Sequence, residues 1–141
     1  MPMGSAEHNI DPKGRLFIPA KLRSGLGESF VVSRSMDIRP CLCIYTAEEF
    51  DELIAKIKQS HSLVESNYLL EIIYKVSTQP GCDAQGRITL NQPQRKYADL
   101  KDTAYIIGID RHIEIWNIEK WELESAEDDQ DKILRLFSEV R

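Results

Sequence analysis

Nowhere does this 141-residue chain run to the ~18 consecutive apolar residues that cross a bilayer. Its opening residues hold no basic segment followed by a hydrophobic one, so no signal peptide is expected and the cytoplasm is the default location. Cysteine is scarce: three residues cannot all pair, and Cys41 and Cys43 alternate along one strand face without further ligands at metal spacing. They read as reduced core thiols, and no metal is expected. The three histidines lie far apart, with His8 and His61 expected at the surface and His112 in a turn or at a strand start. The chain also lacks a glycine-rich phosphate loop, a nucleophile elbow and a zinc signature. No enzyme, cofactor or small-molecule substrate is therefore expected.

Positive charge is not in excess either, since the formal net charge is −5. Its distribution matters more than its sum, because a binding face is set by local charge. From Asp11 to Arg39 there are six basic residues (Lys13, Arg15, Lys21, Arg23, Arg34, Arg39) against three acids, a net +3. From Asn117 to Arg141 there are eight acids and four basic residues, a net −4. Hydrophobic content of 42% and charged content of 29% are those of an ordinary globular chain.

What the chain has is one motif written twice. Asp11-Pro-Lys-Gly-Arg15-Leu-Phe-Ile returns 72 positions later as Asp83-Ala-Gln-Gly-Arg87-Ile-Thr-Leu. Asp favours turn initiation, Gly takes the positive φ of a tight turn, and the run after Arg reads as a strand. Arg23 maps on Arg95 at the same offset, and Tyr45-Thr-Ala-Glu-Glu-Phe50 maps on Trp116-Asn-Ile-Glu-Lys-Trp121 at an offset of 71. This points to an internal duplication. Each half is small enough to have a thin core alone, so the halves are expected to share one and to gain from oligomerisation.

The pattern predicts a loose lead-in over residues 1–6, a strand over 8–10, and a returning strand over 15–18. Pro19 to Gly25 predicts one or two helical turns, with Pro at the start and Gly at the end. Residues 30–33 and 41–45 form a hairpin. Thr46 caps a helix with Glu49 as its capping-box partner, and Phe50, Leu53, Ile54 and Ile57 form its apolar stripe. A second helix covers 63–74. The second unit repeats the order: strand 88–90, short helix 93–98, hairpin strands 105–109 and 113–116, and a helix capped by Asn117. A last helix over 132–140 carries Ile133, Leu134, Leu136, Phe137 and Val140 on one broad face, flanked by the acids of 127–131.

The run Asp-Pro-Lys-Gly-Arg15-Leu-Phe-Ile-Pro-Ala-Lys-Leu-Arg23 resembles the opening repeat of the MraZ family of bacterial transcriptional regulators, related to AbrB and SpoVT. Ile109-Asp-Arg-His-Ile-Glu-Ile-Trp-Asn-Ile-Glu-Lys-Trp121 is similar to that family's second repeat, and the match runs from about residue 7 to residue 124. The resemblance implies an α+β fold of two tandem AbrB-like swapped-hairpin units forming a pseudo-two-fold β-barrel with flanking helices. The units are expected over residues 5–52 and 80–124, with linking helices over 53–79 and a C-terminal helix over 125–141. It also implies a ring-shaped homo-oligomer on the nucleoid that binds double-stranded DNA at short direct repeats, upstream of its own division and cell-wall gene cluster. The second repeat departs from the pattern. It has Thr-Leu-Asn-Gln-Pro where the family has Ile-Pro before a basic helix, and no counterpart to Lys13. Both departures bear on whether the halves contact DNA equally. The opening residues also lack the aromatic often found near the start.

Clustered Lys and Arg attract phosphates and release counterions, and Arg can grip a guanine edge through two hydrogen bonds. The candidate DNA-binding residues are Lys13, Arg15, Lys21, Arg23 and Arg87, with Arg95 and Lys96 a weaker basic pair. A ring would present them repeatedly, so direct repeats could be read by avidity. Asp11 and Asp83 would repel phosphate and are read as holding each turn closed against its own Arg, which also removes them as a catalytic carboxylate pair. Arg34 and Arg39 read as solvated hairpin charges. Tyr45, Phe50, Trp116 and Trp121 read as core packing at matching strand-to-helix corners. The alternative is an oligomeric assembly or protein-interaction module that does not bind DNA; its acidic total and altered second repeat suit that reading.

Overall fold

The computed structural model describes residues 4–140, in an α+β arrangement of antiparallel strands and helices. In the first half, β1 (Gly4–Asn9), β2 (Arg15–Phe17), α1 (Ala20–Arg23), β3 (Phe30–Arg34) and β4 (Leu42–Thr46) lead into helix α2 (Ala47–Ser60). Helix α3 (Leu63–Val76) links the halves. The second half repeats the series with β5 (Arg87–Thr89), α4 (Gln92–Tyr97), β6 (Thr103–Ile109), β7 (His112–Trp116) and α5 (Ile118–Ala126), and ends in α6 (Gln130–Ser138).

Local chemistry fixes most of the boundaries. The Thr46 side chain accepts from the Glu49 amide at the start of α2, and Asn117 accepts from the Lys120 amide at the start of α5. Two reciprocal capping boxes, Ser62 with Glu65 and Asn91 with Gln94, start α3 and α4. Helix α1 stops at Arg23, short of the expected Gly25, and Gly27 takes the positive φ of +72° that turns the chain toward β3.

Five strands form one antiparallel sheet in the order β1-β6-β7-β4-β3, and β2 pairs with β5 in a separate two-stranded ribbon. The strands do not close into the expected barrel. At one edge β3 exchanges amide and carbonyl bonds with Thr78 (2.9 and 2.8 Å), and just past the end of β1 the chain meets β2 at the bridge between Ile10 and Leu16. The lead-in is also shorter than expected, because Gly4 to Asn9 pair along β6; residues 1–3 lie outside the described residues.

Both faces of the sheet are covered, and the period-2 alternation of its strands divides the core in two. Leu42, Ile44, Ile106, Ile113 and Ile115 pack toward Leu16 and Ile88 of the ribbon. Cys41, Cys43, Tyr45 and Trp116 pack toward Phe50, Ile54 and Ile73 of α2 and α3. The corner aromatics are core: Trp116 and Trp121 meet edge to face at 5.5 Å, and Tyr45 and Phe50 lie 6.4 Å apart. Cys41 and Cys43 are buried thiols as expected, whereas Cys82 is exposed in the approach to the second turn. No helix is long and apolar enough to cross a membrane among the described residues.

Candidate nucleic-acid interface

Each motif folds into the same turn. Asp11 Oδ1 accepts from the amides of Lys13 (3.0 Å) and Arg15 (2.8 Å), and the Gly14 amide closes on the Asp11 carbonyl at 2.9 Å. In the second copy Asp83 Oδ1 accepts from Gln85 and Arg87, both at 2.9 Å, and Gly86 closes on the Asp83 carbonyl at 3.0 Å. Gly14 and Gly86 sit at φ +81° and +80°, where a side chain would be strained. The amides of Arg15 and Arg87 are the main cause that holds the carboxyls of Asp11 and Asp83 below the usual carboxylate range. Both acids are therefore ionised turn staples.

The same acids position the arginines. Arg15 Nε donates to Asp11 Oδ2 and Arg87 Nε donates to Asp83 Oδ2. Asp11 does more than its twin, because Arg87 Nη1 also lies 3.8 Å from its Oδ2. One carboxylate thus ties the two repeats' arginines together.

Strand pairing sets the surface. Arg15 lies opposite Thr89, Leu16 opposite Ile88, and Phe17 opposite Arg87. Leu16 and Ile88 point into the core, so Arg15, Phe17, Arg87 and Thr89 form the outer face of the ribbon. The two arginines stand on a diagonal of this face, one from each repeat.

The remaining arginines cross over. Arg95 Nε donates to the Leu90 carbonyl at 3.1 Å and lies against Gly14, the turn glycine of the other repeat. Arg23 Nη1 donates to the Ile18 carbonyl at 3.4 Å and lies against Gly86. Backbone bonds from Leu90 to Gly14 (2.9 Å) and from Ile18 to Gly86 (3.0 Å) run along the same paths. Arg23 also stands over the Phe17 ring at 5.9 Å. Lys13 is exposed at the tip of the first turn, Lys21 is exposed on α1 and reaches toward Gly4, and Lys96 is exposed on α4.

Four predicted residues, Lys13, Arg15, Arg23 and Arg87, therefore gather on the ribbon and its two turns. Lys21 stands apart on α1. Arg95, the weaker candidate, is drawn in through Gly14. A two-stranded ribbon of this kind fits a DNA major groove, where bidentate Arg contacts distinguish guanine and free cations meet phosphates. Held by Asp through Nε, Arg15 keeps its terminal nitrogens for such a contact, while Arg87 shares one of its own with Asp11.

Away from the ribbon, Arg39 corrects its reading as a solvated charge. Its guanidinium bonds Asp37 and grips the buried Glu114 at 3.2 and 2.9 Å. Trp116 Nε1 donates to the same carboxylate at 2.9 Å, and His112 Nε2 lies 3.1 Å from it. Burial would raise the Glu114 carboxyl, but the bonds from His112 and Trp116 and the charge of Arg39 hold it below its ordinary value. The fold also brings Cys41, Cys43 and Glu114 within 4.8 Å of one another, supplying a third metal-type side chain that spacing alone did not. Both Glu114 oxygens are already committed to Arg39, Trp116 and His112, so this cluster is a hydrogen-bonded core network. Its only sequence signal is an acid inside the apolar run Ile113-Glu-Ile-Trp. Arg34 stacks on the Tyr97 ring at 4.5 Å.

A family model described as "MraZ protein, putative antitoxin-like" matches residues 1–70 and 73–135. The chain is similar to the transcriptional regulator MraZ of Desulforamulus reducens, at 35% identity over 89% of this chain and 87% of that protein. It is similar to the transcriptional regulator MraZ of Ligilactobacillus salivarius at 38% identity, over 93% of this chain and 92% of that protein. With the protein of that name from Halothermothrix orenii the identity is 37%, over 98% of this chain and 97% of that protein. Two matched repeats, each carrying its Asp-staple turn, and similarity along nearly the whole length agree: the chain belongs to the MraZ family.

Proposed function

We propose that this protein is a sequence-specific DNA-binding transcriptional regulator that acts as a ring-shaped homo-oligomer. The carrying observation is the ribbon, in which one strand from each repeat presents Arg15 and Arg87 on a single outer face. Lys13 at the first turn and Arg23 against the second add to its positive charge, and Lys21 on α1 is a further phosphate contact. Relatives named transcriptional regulators support the same reading.

The two repeats, over 5–52 and 80–124, act as interleaved hairpin units; the linking helices (53–79) and the C-terminal segment (125–141) serve assembly. Copies of the ribbon spaced around a ring read short direct repeats by avidity, since each ribbon alone makes few contacts. The target is the DNA upstream of the protein's own gene cluster for division and cell-wall functions, placing the protein in the cytoplasm on the nucleoid.

The test is binding of the full chain to the duplex upstream of its own gene, against a shuffled duplex, across a salt series. Selective binding with a steep negative salt slope is expected. Equal weak binding to both duplexes would reduce the interaction to charge alone. Absence of binding at low salt would leave the assembly-module reading in its place.

A further inference from the structure

Four side chains make up the outer face of the ribbon, and the two arginines take only one of its diagonals. The other diagonal carries Phe17 and Thr89, which are equivalent by the 72-residue offset. Phe17 is 36% exposed and lies outside both halves of the core. Among the described residues, every other large exposed apolar side chain sits on a helix or in a loop. Phe17 stands instead on a strand, directly across from Arg87 and two positions from Arg15.

The ring is held in place there. His8 meets it edge on at 5.2 Å, with the two planes 69° apart. The Arg23 guanidinium stands over it at 5.9 Å. Its Cε1 atom lies against Gly86 of the second turn, 3.2 Å from where a Cβ would be. These contacts pin a short, rigid side chain while part of it stays in solvent, so little conformational freedom is left to lose on binding.

Building on the DNA-binding role given to the ribbon, we propose that Phe17 is a specificity-determining residue that reads the 5-methyl group of thymine in the major groove. Thr89 offers a smaller apolar contact of the same kind from the other strand. In that groove thymine is the base marked by a methyl group, and phenylalanine rings and threonine methyls are among the groups that meet it. The arginine diagonal suits guanine, so the two diagonals of one face read different bases. Alternate residues of a strand lie about 7 Å apart and successive base pairs about 3.4 Å. Phe17 therefore addresses a base pair about two steps from the one that Arg15 meets. A ring that only propped Arg23 and Gly86 would weaken every duplex alike when lost, whereas a reader of thymine loses discrimination.

The test replaces thymine by deoxyuridine, one position at a time, in the duplex upstream of the protein's own gene. This removes the methyl group and leaves the base pairing intact. Fluorescence anisotropy gives the affinity of the full-length wild type and of Phe17→Ser for each duplex. The wild type is expected to bind about fourfold more weakly wherever a contacted methyl is lost. At one or more of those positions Phe17→Ser should bind the thymine and uracil duplexes equally. Circular dichroism and light scattering check the fold and mass of the variant, and Phe17→Gln, which keeps the side-chain length, replaces it if it misfolds. Wild-type binding that is indifferent to every replacement, or a uracil penalty that the variant keeps at every position, would overturn the reading of thymine and leave DNA binding standing. A wild type that does not distinguish the upstream duplex from a shuffled one would overturn both.

Discussion

The two turns share a frame and differ in what they display. Both use Asp as the staple, Gly at φ near +80° and an Arg held through Nε. Where the first has Lys13, the second has Gln85; where the first strand has Phe17, the second has Thr89. Lys21 of α1 falls on Pro93 of α4. Structure-forming positions are thus retained in both copies, while the exposed cations fall at different places, Lys13 and Lys21 in the first and Lys96 and Lys101 in the second. A duplicated ribbon with a lysine at the tip of only one turn has a direction, so the two turns should meet DNA unequally.

The hairpins behind the turns differ in the same manner. Cys43 and Glu114 are equivalent by the 71-residue offset and stand side by side in the sheet. The first copy keeps a small buried thiol; the second buries a charge and surrounds it with Arg39, Trp116 and His112. The largest effect is expected here. Glu114→Ala should cost about 3 kcal/mol in denaturant unfolding, since it leaves the donors of a buried ionic network unmatched. Cys43→Ala should cost about 1 kcal/mol, as a small volume loss. Equal costs would show that the network is dispensable.

Second come the turn glycines. A Cβ at Gly14 would lie 2.6 Å from the Leu90 carbonyl, which is backbone, whereas one at Gly86 would meet the Arg23 side chain, which can move. Gly14→Ala should cost about 3 kcal/mol, and Gly86→Ala about 1–2 kcal/mol from its positive φ alone. Equal unfolding midpoints for the two variants would refute the distinction.

DNA binding sharpens the comparison further. Arg15→Ala and Arg87→Ala should each weaken operator binding by about 1–3 kcal/mol and relax base preference. Lys13→Gln, which makes the first turn resemble the second, should lower the salt slope by about 0.9 with little change in selectivity. Gln85→Lys should raise that slope by a similar amount. Fluorescence anisotropy at several salt concentrations reads all four, and a Lys13 variant that loses selectivity would contradict the division of roles.

The smallest effect is with pH. His112 is raised above its ordinary value of 6.5, chiefly by its hydrogen bond to Glu114, so its contribution is full below that value and fades as pH rises through the raised one. Glu114 is lowered from 4.5, so its contribution holds above that value and is lost as pH falls through the lowered one. Thermal stability should therefore plateau in mildly acidic solution and decline on both sides. In Glu114→Gln the alkaline decline should flatten; an unchanged profile would remove His112 from the account.

Much of this was legible because it obeys short-range rules. The Asp-to-Gly turns, the caps at Thr46 and Asn117, and the paired hairpins depend on residues within a few positions of each other. Strand β1 was partly missed because Gly-Ser-Ala-Glu-His-Asn lacks strand character and is extended only by pairing along β6. The open sheet in place of a barrel follows from which edges meet, which no local pattern encodes. Arg39 looked like a loop charge because its partner lies 75 positions away. The placement of Arg95 is hidden for the same reason, since it depends on the glycine of the other repeat.

The central claim is that one strand from each repeat builds a single DNA-reading face. The most direct measurement is the affinity of Arg15→Ala/Arg87→Ala for the upstream duplex, on protein confirmed to keep the wild-type fold and mass. The account predicts that selectivity over the shuffled duplex disappears and the salt slope becomes shallower. Undiminished selective binding by that variant would contradict it and move the DNA face off the ribbon.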